Sequence, residues 1–253
     1  MSRPHAIYPS LRDKIVVVTG GAEGIGAATV ELFALQGCQV IFLDIAGESA
    51  GDTIDRVVSH VKDSSGVAIK TPVFYFCDVS DLGKLQATAT DILKQHGTVH
   101  VLVNNAAGAG SKCRLRTEQV TPEAWDININ GNLRHIFFLS QAFIPAMKKA
   151  GGGSIINLGS ISWRIPATGV SSKEFGQFNI RINSVMPGAI ATKRQKEEVL
   201  TPEYRAEVMR GQSLQRDLEP EEVAKVIVFL GSDEASAVTG SSYVVDGGWC
   251  SDP

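Results

Sequence analysis

Apolar residues in this chain come in short blocks that alternate with longer amphipathic stretches. Seven blocks rich in β-branched residues predict strands at Ile15–Thr19, Gln39–Asp44, Val73–Cys77, Val99–Asn104, Ser154–Leu158, Arg181–Met186 and Ser242–Val245. Most lack period-2 alternation, the pattern of strands covered on both faces. Between them lie helical patterns. Ile25–Gln36 ends at Gly37, Asp81–Gln95 ends at Gly97, and Thr121–Ala150 runs into Gly151-Gly152-Gly153; a glycine just past the last turn is a common helix C-terminal cap. Pro220–Leu230 opens with proline in the first turn, where its missing N–H costs nothing. Strand–helix alternation of this kind predicts an α/β chain, a doubly wound parallel sheet with helices on both faces.

No linker or shift of composition interrupts the pattern, so residues 1–253 read as a single domain. With 43% hydrophobic and 20% charged residues the chain can build one large core. The formal charge of −3 and the absence of a long basic run argue against nucleic acid as a partner. No apolar run approaches the ~20 residues that span a bilayer, so no membrane partner is expected. The polar stretch from Met1 to Lys14 lacks an apolar signal core and reads as an arm leading into the first strand. Cys38, Cys77, Cys113 and Cys250 are scattered and the five histidines do not cluster. A disulfide framework or metal site therefore has no support, and a reducing, cytoplasmic compartment fits. His135 falls in a helical stretch, where packing or surface exposure is its expected role.

The chemistry begins at Thr19-Gly20-Gly21-Ala22-Glu23-Gly24-Ile25-Gly26, directly after the first strand. Glycines at 20, 24 and 26 let the backbone turn sharply and approach a pyrophosphate, and the helix that follows aims its free N–H groups at the anion. A glycine triplet is weak evidence alone, but here a strand precedes it, a helix follows, and Asp44 closes the next strand. That is a Rossmann-type arrangement. The Asp44 carboxylate would accept hydrogen bonds from the 2′- and 3′-hydroxyls of an adenosine ribose and repel a 2′-phosphate, which favours NAD over NADP.

With these features the chain resembles the short-chain dehydrogenase/reductase family, from about Leu11 to Trp249. The turn motif stands at Thr19–Gly26. Asp78-Val79 matches the pair that contacts adenine, and Asn104-Asn105-Ala106-Ala107 the turn after the fourth strand, with Ala107 in place of the usual glycine. Pro187-Gly188-Ala189-Ile190-Ala191-Thr192 matches a stretch in which the Ile190 backbone and the Thr192 hydroxyl would hold the carboxamide and phosphate. Val245–Trp249 matches the last strand and its exit. The resemblance thus assigns Gly20, Glu23, Gly24, Ile25, Gly26, Asp44, Asp78, Val79, Asn105, Ala106, Pro187, Gly188, Ile190 and Thr192 to the NAD cofactor.

Members of this family use four catalytic residues: an asparagine that anchors a water relay, a serine on the substrate oxygen, and the tyrosine and lysine of a Y-x-x-x-K motif. The tyrosine must take a proton as hydride leaves carbon, and with an ordinary pKa of ~10 it needs the neighbouring cation to do so. The resemblance assigns the asparagine to Asn132 and the serine to Ser160, with Ser162 the weaker candidate; Asn128 and Asn130 are out of register. The tyrosine is due about thirteen residues after Ser160, where Lys173 stands. None of Tyr8, Tyr75, Tyr204 and Tyr243 has a lysine four residues on. From Ser172 the chain reads as the last turn of the family's fifth helix, its terminus at Gly176 and the sixth strand; the body of that helix, roughly twenty residues, has no counterpart. Its loss is expected to expose the Ala142–Met147 side of the preceding helix. Three accounts are open: a helix present in the protein but missing from the sequence, a genuine deletion product, and a pseudoenzyme that binds NAD without chemistry.

Within the family several stretches are similar to sugar 1-dehydrogenases, among them Asn132–Phe138, Gly159–Trp163 and Ala191–Gln195. The resemblance implies oxidation of an aldose at C1 to an aldonolactone by hydride transfer to NAD. Trp163 would stack on the pyranose, and Arg194 and Gln195, in a loop before a helix opening at Pro202, would bind ring hydroxyls; core packing for Trp163 and a solvated loop for Lys193-Arg194 are the plain alternatives. A ketone or 3-oxoacyl reductase of the same family is the other enzymatic reading, and a catalytically dead NAD-binding protein the non-enzymatic one. The family also implies a homodimer or homotetramer if the fifth helix is present.

Overall fold

The computed structural model describes residues 6–61, 68–108, 119–159 and 175–250. Seven parallel strands form one sheet: β1 (Ile15–Thr19), β2 (Gln39–Asp44), β3 (Val73–Phe76), β4 (Val101–Asn104), β5 (Gly153–Leu158), β6 (Ile180–Pro187) and β7 (Ser242–Val245). Their order is β3-β2-β1-β4-β5-β6-β7. The strand order reverses between β1 and β4, so a crevice opens outside the carboxyl ends of these two strands, where ligands of doubly wound sheets bind.

One face of the sheet is covered by α1 (Gly24–Leu35), α2 (Gly47–Val61) and α8 (Pro220–Gly231), with Phe33, Val30, Val57, Ile227 and Leu230 in its core. Helix α1 is apolar nearly all round because it is enclosed by the sheet, α2 and α8. The close α1–α8 contact rests on Gly231, where a Cβ would come within 2.9 Å of the Phe33 ring. The other face carries α3 (Leu82–His96) and α5 (His135–Lys149), with Leu85, Ile92, Leu139, Phe143 and Met147 against Leu102, Ile155 and Ile182; α4 (Pro122–Ile129) precedes α5. Two short helices, α6 (Lys193–Glu198) and α7 (Pro202–Gly211), follow β6.

The structure departs from the sequence pattern in several places. The predicted helix Thr121–Ala150 is α4 and α5 joined by a π-helical turn at Asn130–Arg134. Helix α2 is an element that the pattern did not predict. Arg194 and Gln195 sit on α6 rather than in a loop, because the Thr192 hydroxyl accepts the Gln195 N–H at 3.1 Å and starts a helical turn. The described part of the N-terminal stretch is packed rather than a free arm: Leu11 is buried, and the Gln36 amide bridges the Tyr8 N–H and the Ala6 carbonyl. Phe143, Ile144 and Met147 are buried against the sheet, and the exposed apolar residues of this helical run are Trp125, Ile127, Leu133 and Phe137.

Phe175 precedes a short 3-10 turn (Gly176–Phe178) whose left-handed terminal residue is Asn179 (φ 58°), not Gly176. Lys148 of α5 holds this turn, its Nζ 3.9 Å from the Phe178 ring centroid and 5.1 Å from that of Phe175.

Candidate active site

The glycine turn is locked by main-chain geometry at the crevice. Gly20 and Gly24 hold φ of 66° and 57°, which residues with a Cβ rarely adopt. A Cβ on Gly26 would sit 1.8 Å from the Gly20 carbonyl oxygen, so only glycine fits there. Glu23 is the N-cap of α1, yet its side chain does not cap; it accepts the Ser49 hydroxyl at 2.5 Å instead. The N–H groups of Gly24, Ile25 and Gly26 therefore have no side-chain or loop acceptor among the described residues. They form the donor set that an anionic diphosphate requires.

The turn after β4 meets this loop from the other side. The buried Thr19 hydroxyl accepts N–H bonds from Asn105 (3.1 Å) and Ala106 (3.0 Å). The Asn105 amide donates to the Thr19 and Gly20 carbonyls at 2.9 and 2.8 Å. A Cβ on Gly20 would lie 2.9 Å from Ala106 Cα. Thr19 is the residue whose role the motif alone did not reveal: it opens the quoted turn, and its hydroxyl is the hinge between the two loops.

Asp44 also works on this turn. Its Oδ2 accepts the Ala22 N–H at 2.9 Å, and its Oδ1 accepts those of Ile45 (2.7 Å) and Ala46 (3.0 Å). Three of about four lone-pair positions are thus filled from the backbone, leaving one on Oδ2 for a ligand hydroxyl. Asp78 lies beside it, since the Cys77 N–H donates to the Asp44 carbonyl. Its Oδ1 accepts the Ser80 N–H and hydroxyl, and Val79 packs on the α3 side of the core.

The segment after β6 folds back over the N-terminus of α1. A Cβ on Gly24 would lie 3.1 Å from Thr192 Cγ2. Pro187 ends β6, and Gly188 leaves it against Asp246, where a Cβ would come within 2.7 Å. Ile190 is buried, and its carbonyl accepts the Thr192 N–H at 2.7 Å. The Thr192 hydroxyl caps α6 through its oxygen and keeps its own proton free to donate. Arg194 is exposed on α6, while Gln195 turns its Oε1 inward.

Asn132 occupies the middle of the π turn. Its Oδ1 accepts the Gly108 N–H at 2.6 Å, which ties the turn to the loop after β4, and its amide reaches Asn128 Oδ1 at 3.4 Å. Asn128, out of register with the family motif, is thus in contact with the candidate catalytic asparagine. Ser160, Ser162 and Trp163 lie outside the described residues, as does Lys173. Among the described residues no group of three metal-ligating side chains assembles, and no helix is long and apolar enough to cross a membrane.

The model of the family described as enoyl-(acyl carrier protein) reductase matches residues 20–250. The chain is 42% identical to a D-xylose 1-dehydrogenase of Caulobacter vibrioides over 260 aligned positions, covering 96% of this chain and 98% of the relative. It is 38% identical to a probable galactose dehydrogenase of Rhizobium meliloti over 264 positions, covering 98% and 99%. A solved 7α-hydroxysteroid dehydrogenase, complexed with NADH and 7-oxo glycochenodeoxycholic acid, superposes with a TM-score of 0.84 at 28% identity, over 95% of this chain and 96% of that one. Since 96% of 253 residues is about 243, about 17 of the 260 positions in the first alignment face no residue of this chain. The second alignment leaves about 16 such positions by the same reckoning.

Proposed function

The chain belongs to the short-chain dehydrogenase/reductase family, and we propose that it is an NAD-dependent oxidoreductase that oxidises an aldose at C1 to an aldonolactone. The observation that carries this reading is the open N-terminus of α1 beneath the Gly20–Gly26 turn, joined to a chain 42% identical to a xylose 1-dehydrogenase. NAD, when bound, accepts the hydride.

The chain's own residues do the rest. Gly24, Ile25 and Gly26 offer N–H groups to the diphosphate, with Thr192 closing over them. Asp44 takes a ribose hydroxyl on its remaining Oδ2 lone pair. Glu23, Asp44 and Asp78 make this corner acidic, so a 2′-phosphate would meet carboxylates rather than a cation; that supports NAD over NADP. Val79 and Asp78 flank the adenine side, and Asn105 and Ala106 line the crevice wall. Pro187, Gly188 and Ile190 shape the segment that carries Thr192 across it. Asn132 and Ser160 are the polar groups for the substrate end, and Trp163, Arg194 and Gln195 those for the sugar ring. The unit acts as one NAD-binding domain in a reducing cytoplasmic setting, as the scattered cysteines favour. Its assembly is a homodimer or homotetramer once the family's fifth helix is present.

A second reading is favoured by one specific fact. The hydroxyl proton at C1 needs an acceptor as hydride leaves, and the chain has no Y-x-x-x-K. The 16 or so unmatched positions agree in size with the segment that would carry it. On this reading the 253-residue chain binds NAD and turns over at least ~10³ more slowly than a family member with the motif. Calorimetric titration with NAD, run beside an aldose oxidation assay on protein of verified 27.0 kDa mass, tests both. Binding with aldose oxidation is the outcome of the first reading, and binding without turnover that of the second. Failure to bind NAD sinks both readings, and rapid aldose oxidation sinks the second.

A further inference from the structure

His135 is the first residue of α5, directly after the π turn that carries Asn132. Its ring is fully buried, and neither nitrogen makes a well-formed hydrogen bond among the described residues, although the Gly131 backbone lies close enough to favour the protonated ring. An imidazole has one donor and one acceptor, and leaving both unmet in a core is costly, so such a group calls for an explanation. Burial lowers its pKa to about 4, opposed by the Gly131 carbonyl, so the ring is neutral at physiological pH.

A second orphan lies on the same side of the sheet. Asn104 is buried at the end of β4, donates its amide to Asn157 Oδ1 at 2.8 Å, and leaves its own Oδ1 unpartnered. Leu102 and Ile155, two residues earlier on β4 and β5, belong to the α3/α5 core, so Asn104 and Asn157 point to that face. His135 lies on the stripe of α5 that places Leu139 and Phe143 in the same core. A buried donor and a buried acceptor therefore meet the same interior from the helix and from the sheet.

We infer that His135 is a positioning residue: its neutral ring is joined to Asn104 Oδ1 through a buried water, which pins the π turn and so holds Asn132 towards the crevice. The inference rests on the proposed function for the role of Asn132, but not for the contact itself. The π turn inserts one residue into the helix. If it relaxed to α geometry, Asn132 would swing by about 100° around the axis and release Gly108. Gly108 is exposed, and the Asn132 side chain accepts its N–H. Exchange of that amide therefore reports how firmly Asn132 is held.

The test compares His135→Leu, which fills the space without polar atoms, with His135→Gln, which keeps a donor and an acceptor. Amide exchange is measured without nucleotide, so failure of NAD binding cannot be mistaken for failure of this inference. The leucine variant should speed exchange at Gly108 at least ~10-fold while Val103 of β4 stays protected, and the glutamine variant should restore protection. A high-resolution crystal structure of the unmodified chain should show a water bonded to the His135 ring and to Asn104 Oδ1. Unchanged Gly108 exchange in a folded leucine variant overturns the inference. If that variant does not fold, the crystal structure decides, and a dry ring or a direct protein partner at both nitrogens overturns it.

Discussion

The crevice is built from two regions of unequal self-sufficiency. On the nucleotide side, around β1, β2 and the start of β4's loop, the critical contacts are main-chain ones. Glycines set the turn, Thr19 and Asn105 clamp it, and Asp44 is bonded to three backbone N–H groups. On the other side, around the π turn and the start of β6, position depends on side chains reaching across elements. Asn132 is held through Gly108, and Lys148 steadies Phe175 and Phe178 where β6 is about to begin. A site made from local backbone geometry survives the loss of a distant segment. A site made from side chains on several elements does not, because each must be delivered by its own support.

The strongest way to break this contrast is to supply the Y-x-x-x-K that the sequence lacks. On the second reading, inserting a helix of about 17 residues with Y-x-x-x-K between Ser160 and Phe175 raises aldose oxidation by at least ~10³. NAD affinity should rise far less, because the contacts of the glycine turn are made by β1, β2 and the loop after β4 alone. Steady-state rates and calorimetric Kd values for the two chains check this. A gain in affinity as large as the gain in turnover would show that the nucleotide side was not self-sufficient.

Next in size is damage to the turn itself. Gly26→Ala forces a Cβ into the space 1.8 Å from the Gly20 carbonyl, a clash that only backbone movement relieves. NAD binding should weaken by at least ~100-fold, with thermal stability reduced by about 1–3 kcal/mol. Near-normal binding would mean that the diphosphate does not rest on this turn.

These contrasts also explain what was legible in the chain. Strands β1, β2 and β7 match the apolar blocks to the residue; β1 and β2 do so because a strand buried on both faces is a contiguous run, while β7 is a half-exposed edge strand marked by its Tyr243-Val244-Val245 run. The glycine turn was equally legible, since its chemistry lies within eight consecutive residues. Helix α2 was missed although Ala50, Ile54 and Val57 follow helical spacing, because Gly47 and Gly51 weaken the local signal. The π turn left no trace in the pattern, for a single inserted residue hardly disturbs a 3.6-residue period. Nor could sequence show that Asp44 braces the very turn it follows by about 20 residues, as that bond exists only once β1 and β2 are paired.

A pH experiment probes the π-turn side, with a smaller expected effect. The unfolded chain protonates His135 near its ordinary value of 6.5, while the folded chain does so only near 4. The unfolded state thus binds more protons in this window, and stability is complete above about 6.5 and falls as pH drops towards 4. From pH 7 to pH 5 this residue alone should remove about 2 kcal/mol. His100, whose pKa burial also lowers, acts with the same sign. Urea unfolding of the unmodified chain and of His135→Leu isolates the difference. Equal slopes would place the ring in contact with solvent or with a proton acceptor.

The smallest effect sharpens the nucleotide side. Asp44→Asn keeps the shape of the side chain but replaces one acceptor oxygen with a donor amide. The Ala22, Ile45 and Ala46 N–H groups then compete for a single oxygen, and at least one is left opposite an N–H. The ribose hydroxyl also loses a charge-assisted acceptor, worth about 1.5–3 kcal/mol. NAD should bind about 10-fold more weakly, or worse where the turn loosens as well, while NADP should lose little or gain, because the nearest carboxylate no longer opposes its phosphate. The ratio of the two Kd values is the quantity to follow. Should both affinities fall in parallel, Asp44 acts only as a brace for the turn, and selection between the nucleotides belongs to another residue of that corner, with Glu23 the first to substitute.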